Sequence, residues 1–345
     1  MRLEKGMALP LKNGEVLRGR YEIRERIGQG GTGSIYLAED LRLEGRLCAI
    51  KEVEHDRTLP TKMFDEAREQ FMREATVLAR LDHPNLPKVS DFFSRDTHSG
   101  EARDYLVMDY VAGDDLRTLM LDARRRKTYL REDVVLGWAN QIANALTYLH
   151  SQDPPIIHRD IKPSNLKLTP SGLIKLVDFG LVKLLAPNEM TITVIQGQGT
   201  LLYTPLEQYG SDGTHTDIRS DLYSFGATLY HLLTNTPPAD ARKRFLNPES
   251  LLPPREINST ISRRTARGIL WSMALHPTER PDTAEDFRLF LLGQKDIRTS
   301  PLPQLNQQKP SYTIGELLSQ STERALAWIT AGMLLLSLLA TLGNS

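Results

Sequence analysis

Hydrophobic spacing divides the chain into a strand-like first third and a helix-like remainder. Residues 21–27 alternate apolar and polar positions, a glycine cluster at 28–33 interrupts them, and residues 34–38 resume a β-branched, aromatic pattern. Residues 46–53 read as the next strand, entered through a turn at Glu44-Gly45. Over 62–81 the apolar positions Phe64, Ala67, Phe71, Ala75, Leu78 and Leu81 follow a helical period that stops before His83-Pro84. Residues 105–111 predict another strand, closed by Gly113, and helices then dominate at 131–150, 221–233, 262–275 and 283–292. This order predicts an α+β chain: an N-terminal extension (1–20), a small β-rich lobe (about 21–110) and a larger helical lobe (about 111–293). The connection falls near Asp109 to Asp114, and no fixed-period repeat is evident.

Residues 325–342 carry no charge and are apolar on every face. At ~1.5 Å per residue such a helix is about 27 Å long, near the short end for crossing a hydrocarbon core. Trp328 sits near one end, as at a membrane interface. The segment reads as a C-terminal transmembrane helix, with an amphipathic helix that buries against the domain or dimerises as the alternative. Lys295, Arg298, Lys309 and Arg324 on its N-terminal side place the large domain in the cytoplasm. The Pro, Gln, Ser and Thr-rich stretch 294–324 reads as an extended linker. The first nineteen residues lack the apolar core and cleavage site of a secretory signal.

Composition narrows the partners. Lys plus Arg and Asp plus Glu balance at 43 each, so no bulk charge argues for nucleic acid. The one cysteine, Cys48, excludes an intramolecular disulfide and, in its apolar stretch, reads as a packing thiol. The eight histidines show no metal-ligand spacing, and His83, His150 and His158 read as structural.

The chemistry concentrates in His158-Arg159-Asp160-Ile161-Lys162-Pro163-Ser164-Asn165 and Val177-Asp178-Phe179-Gly180. Asp160 offers a carboxylate for an acceptor hydroxyl, Lys162 a cation for a phosphate, and Asn165 with Asp178 two oxygen ligands for a hard cation such as Mg²⁺ or Mn²⁺. A carboxylate of ordinary pKa about 4 is a weak base at neutral pH, so Asp160 is expected to orient the hydroxyl and accept its proton late. Gly28-Gln29-Gly30-Gly31-Thr32-Gly33 fits G-x-G-x-x-G. A dinucleotide-binding turn would need a helix next, but Ser34 and Ile35 continue as a strand, which favours a flap whose amides approach phosphates. Lys51 ends a strand pattern, and Glu74 on the following helix is the expected carboxylate partner, with Glu66 and Glu69 as rivals.

Together these segments resemble the eukaryotic-type protein kinase family over residues 21–292, in the family's order. The resemblance implies a bilobal protein-kinase fold and an ATP-dependent Ser/Thr kinase, of bacterial character, acting on protein hydroxyls. It implies ATP contacts from Ile27 to Ile35 and from Ala49, Lys51, Met108 (gatekeeper), Asp109 to Val111 (hinge) and Asp115 (ribose). Asp221 would brace the catalytic loop, Arg280 would pair with Glu207, and Thr200 would bond Asp160 and Lys162. Thr191 and Thr193 are the candidate phosphosites, with Arg159 as receiver. Homodimerisation for autophosphorylation also fits the resemblance. The chain departs from the family in having Pro205-Leu206-Glu207 where Ala-Pro-Glu is usual, which bears on acceptor docking. A non-catalytic scaffold and a small-molecule kinase are the competing classes.

Overall fold

The computed structural model describes residues 10–30, 33–53, 61–96, 102–178, 183–184, 201–209 and 216–296. Gly31, Thr32, Phe179, Gly180, Thr191, Thr193, Thr200 and the linker and apolar segment beyond 296 lie outside the described residues. No helix among the described residues is long and apolar enough to cross a membrane.

Six antiparallel strands form the first layer: β1 (Val16–Leu17), β2 (Tyr21–Gly30), β3 (Gly33–Asp40), β4 (Leu47–Val53), β5 (Val89–Asp96) and β6 (Ala102–Asp109), in the order β1-β2-β3-β4-β6-β5. Residues 10–17, read from the sequence as an extension, join this layer. Leu17 pairs with Tyr21, and Leu11 packs on the sheet's outer face. The alternation of a strand decides which chemistry faces where. On β4, Cys48 and Ile50 enter the outer core with Tyr21, Tyr36 and Phe93, while Ala49 and Val53 enter the inner one. Lys51 shares the parity of Ala49 and Val53 and is therefore aimed inward.

Glu52 falls on the outer parity and is fully buried, which would be costly alone. It is satisfied by Arg103 at 2.6 Å, Tyr105 at 3.0 Å and Tyr36 at 3.3 Å. The glycine of the β2–β3 turn that matters most is Gly33: at φ 138°, an added Cβ would lie 1.8 Å from the Glu52 carbonyl oxygen.

Helix α1 (Thr61–Arg80) covers the inner face through Phe71, Ala75 and Leu78, spaced four and three apart on one stripe, with buried Leu81 just beyond its end. After β6 the chain turns through Gly113 into β7 (Asp114–Asp115), which pairs with β9 (Leu166–Leu168). Gly113 has φ 114°, and a Cβ there would meet the Leu168 carbonyl oxygen at 2.1 Å, so the crossing between lobes requires glycine.

The second lobe is helical: α2 (Leu116–Arg125), α3 (Glu132–His150), α4 (Ile218–Thr234), α5 (Ala241–Leu246), α6 (Pro254–Ile257), α7 (Arg263–Ser272) and α8 (Ala284–Leu291). Short strands β8 (Ile156–Ile157), β9, β10 (Ile174–Leu176) and β11 (Lys183–Leu184) edge the cleft. α4 is buried along nearly its whole length, from Ser220 to Thr234, because α2, α3, α6 and α7 all pack on it. It is the post around which the lobe is built, and it also reaches the cleft.

Candidate active site

Asp221, in the first turn of α4, has no exposed surface. Its carboxylate accepts the backbone N–H groups of His158 at 2.9 Å and Arg159 at 2.8 Å, and meets His150 Nε2 at 2.9 Å. Burial works to raise this carboxyl, but the His150 hydrogen bond and the neighbouring imidazoles outweigh it and hold it below 3.8. The loop is held in a shape it would not choose: Arg159 has φ 68° and Asp178, across the site, has φ 57°. Such left-handed residues cost on the order of 1–3 kcal/mol each and persist only where the surroundings impose them. Farther along α4, the Thr228 hydroxyl donates to the Ile161 carbonyl.

Asp160 therefore sits on an immobilised loop. Its Oδ2 accepts from Lys162 Nζ at 2.7 Å and Asn165 Nδ2 at 2.9 Å. Its Oδ1 is buried and, among the described residues, has no hydrogen-bond partner. Asn165 also donates to the Asp160 carbonyl at 2.8 Å, which fixes the amide and, among the described residues, leaves its Oδ1 with a 3.4 Å contact from Ser164.

From the sheet side, Lys51 Nζ reaches Asp178 Oδ1 at 2.5 Å and joins the two lobes across the cleft. Burial pushes the Asp178 carboxyl up, and the charge and hydrogen bond of Lys51 more than reverse it. Glu74 is buried on the sheet-facing side of α1, whereas Glu66 and Glu69 are exposed and face Lys62 and Arg73. The charge of Glu74 also reaches Arg159, whose guanidinium is lowered to about 10 by burial against the pull of Asp221 and Glu74. Arg159 Nε is buried without a hydrogen-bond partner among the described residues.

Above this floor lie Ala49, Met108 and Val111, all buried, with Ile35 packed against the same core and Ile27 more exposed. Gly28, Gln29, Gly30 and Ser34 carry the β2–β3 pairing that forms the flap. Two sequence-assigned nucleotide contacts have other work. Asp115 caps α2, accepting from the Thr118 amide at 2.8 Å. The Asp109 amide donates to the Lys88 carbonyl at 2.9 Å, and its carboxylate accepts from the Lys88 amide. Asp109 Oδ1 also lies 3.5 Å from the Arg46 guanidinium, and the positions of both carboxylates are explained by local structure.

Asn165 and Asp178 suit a hard divalent cation: both donors are oxygens, and Asn165 Oδ1 is held open by the two bonds on its nitrogen. No group of three or more His, Cys, Asp or Glu side chains among the described residues forms a separate metal site.

Behind the site, Glu207 meets Arg280 at 2.6 Å and 3.0 Å in a forked pair, and the Ser220 hydroxyl donates to the same carboxylate. Arg280 also donates to the carbonyls of Ala274, Leu275 and Arg219 and lies over the Tyr223 ring. Pro205, the residue out of place in the family pattern, has φ −75° and opens the 3-10 turn Leu206–Gln208, so Glu207 keeps its partner. Spacing alone could not have found the Tyr203–His231 contact, in which the hydroxyl and Nδ1 lie 2.6 Å apart.

A sheet lobe and a helical lobe joined at a cleft lined by Lys51, Asp160, Asn165 and Asp178 define the bilobal protein-kinase fold. A model of the protein kinase domain matches residues 21–285, and the chain belongs to that family. It is 35% identical over 286 residues to a probable serine/threonine-protein kinase of Clostridium acetobutylicum, covering 79% of this chain and 39% of that protein. It is 33% identical to a DNA damage-responsive serine/threonine-protein kinase of Deinococcus radiodurans, covering 85% and 42% respectively. The chain thus spans less than half the length of these curated relatives. Among solved structures it is similar to the apo form of PpkA-294, with a TM-score of 0.62 and 26% identity, covering 82% of this chain and 99% of that one.

Proposed function

We propose that this chain is a protein serine/threonine kinase that moves the γ-phosphate of ATP onto protein hydroxyls, its own among them, with Mg²⁺ or Mn²⁺. The observation that carries this reading is Asp160 Oδ1: a buried carboxylate oxygen lacking a partner among the described residues, beside a lysine and an amide oxygen with one long contact. A buried acceptor left unpaired is costly, and an arriving hydroxyl donor would satisfy it. Asp160 would orient that hydroxyl and take its proton as the bond to phosphorus forms. Lys162 would hold the transferred group from below, and Lys51 would hold the phosphates from the sheet. Asn165 and Asp178 would bind the divalent cation, which supplies charge neutralisation on the phosphates. The orphaned Arg159 Nε would receive a phosphate from Thr191 or Thr193.

Labelled phosphate should pass from ATP to a generic protein acceptor and stop on chelation of divalent cations. Transfer that survives chelation, or none at all from pure protein, would remove this reading. A membrane role is a separate proposal, supported by the uncharged run at 325–342. Truncation after Ser321 should then move the protein from the membrane to the soluble fraction, and unchanged fractionation would refute it.

A further inference from the structure

The chain as a whole is neutral, but one surface beside the cleft is not. α2 and the turn after it carry Arg117, Arg124, Arg125, Arg126 and Lys127, all exposed. Within this stretch Asp122 is the acidic residue, and it is taken up by Arg125. Among the described residues, Arg117 and Arg124 form no ion pair. They lie seven residues apart, two helical turns, and so share one side of α2, with half-exposed Leu121 between them. The adjoining stripe, Leu116, Met120 and Ala123, is buried.

The place of this face is set by what α2 packs on: the turn Pro163–Asn165 of the catalytic loop, and α4. α4 presents His231, which meets the Tyr203 hydroxyl, while the Tyr203 carbonyl accepts from Ser224 of the same helix at 2.8 Å. Burial depresses the His231 imidazole to about 4, with the charges of Arg117 and Arg124 adding to it, so that ring is neutral. Arg117 also acts on Tyr203. The charges acting on the Tyr203–His231 contact are therefore those of the two guanidinium groups.

We infer that the α2 face bearing Arg117 and Arg124 is a subsite for an acidic stretch of the protein substrate, Asp or Glu residues flanking the acceptor Ser or Thr. A substrate backbone that delivers a hydroxyl to Asp160 passes the Pro163–Asn165 turn, and α2 is the next element out from it. Two unpaired arginines at a two-turn spacing match carboxylates along an extended peptide, and opposite charge across such a contact selects the partner. A basic flank would meet repulsion from the excess of cations on this stretch, Arg125 being compensated by Asp122. The inference rests on the kinase reading for its substrate, but binding tests it without turnover.

Three fluorescent peptides share one acceptor threonine and differ only in flanks of Glu, Ala or Lys. Their binding to the full chain is read by anisotropy at low salt. The Glu-flanked peptide should bind at least about tenfold tighter than the Lys-flanked one, and the gap should narrow in high salt. In R117E/R124E the preference should invert, and in R117K/R124K it should largely persist. Each ratio is internal to one protein, so a general loss of fold cannot imitate inversion. Equal binding of the Glu and Lys peptides by the wild type, or an unchanged preference in R117E/R124E, would overturn the subsite. So would loss of phosphatidylserine-vesicle binding in that variant with peptide preference intact, which would make the patch a lipid surface. Phosphate transfer to the Ala-flanked peptide reports separately on the kinase reading.

Discussion

Asp160→Asn should lower phosphoryl transfer by about 10²–10⁴-fold, the usual contribution of a positioned acid–base group. The substitution keeps the shape of the side chain and removes its charge. Oδ2 currently takes two donors, from Lys162 and Asn165, and an amide that met them with its own NH₂ would oppose both. Turned the other way, it would present that NH₂ where the acceptor hydroxyl must donate. Either orientation spoils one half of the site. The proposed nucleotide side comprises Lys51, Asp178 and the β2–β3 flap, none of which is bonded to the Asp160 carboxylate in the contacts described. The expected signature in single-turnover kinetics is therefore a collapse in the transfer step with ATP affinity near that of the parent. A variant that transfers phosphate at the parental rate would exclude Asp160 from the chemistry.

Arg280→Met should destabilise the chain by about 3–5 kcal/mol, the cost of leaving one member of a buried ion pair uncompensated. The Arg280 side chain has no exposed surface and spends its donors on Glu207 and on three carbonyls. Removing it strands the nearly buried Glu207 carboxylate with Ser220 alone and frees the carbonyls of Ala274, Leu275 and Arg219. Combining it with Glu207→Met should recover part of the loss, because a hydrophobic pair need not be desolvated as ions are. Urea unfolding measures both. A single variant within about 1 kcal/mol of the parent would contradict the burial and bonding described for this pair.

Most of the architecture was legible because its long elements have strong periods. The helix expected at 62–81 is Thr61–Arg80, and that expected at 131–150 is Glu132–His150. The flap was legible for the same reason, since a strand rather than a helix follows the glycines. α2 was missed although its signals were present: Leu116, Met120 and Ala123 at helical spacing behind an Asp at the cap. Asp115, expected from the resemblance to meet a ribose, also marks the helix start by accepting from the Thr118 amide. The strand Val89–Asp96 lacks clean alternation, and a β-bulge between Val89 and Asp91 shifts its register.

Within the site, residue types were legible and partnerships less so. Asp160 and Asn165 are in contact, as are Lys51 and Asp178, each residue carried by a short segment. The contact of Lys51 with Asp178 spans 127 residues, and Tyr203 with His231 spans 28. Such pairs depend on how lobes and helices pack, which no local spacing encodes. The altered Pro205-Leu206-Glu207 segment raised a question about docking, and the structure answers only its bracing part: the carboxylate is where Arg280 can hold it.

The carboxylate of Asp221 has a further consequence. It ties two consecutive backbone amides and the end of α3 to the central helix, with no surface open to water. The segment nearest the chemistry thus moves with the core rather than with the surface loops. Asp160 cannot be switched by swinging its own loop away without breaking into the most protected part of the lobe. An off state must instead be made by displacing what comes to the loop: the sheet with Lys51, the helix bearing Glu74, or the segment after β10 that carries Asp178. The fixed anvil is on the helical side, and the movable parts are those that strike it.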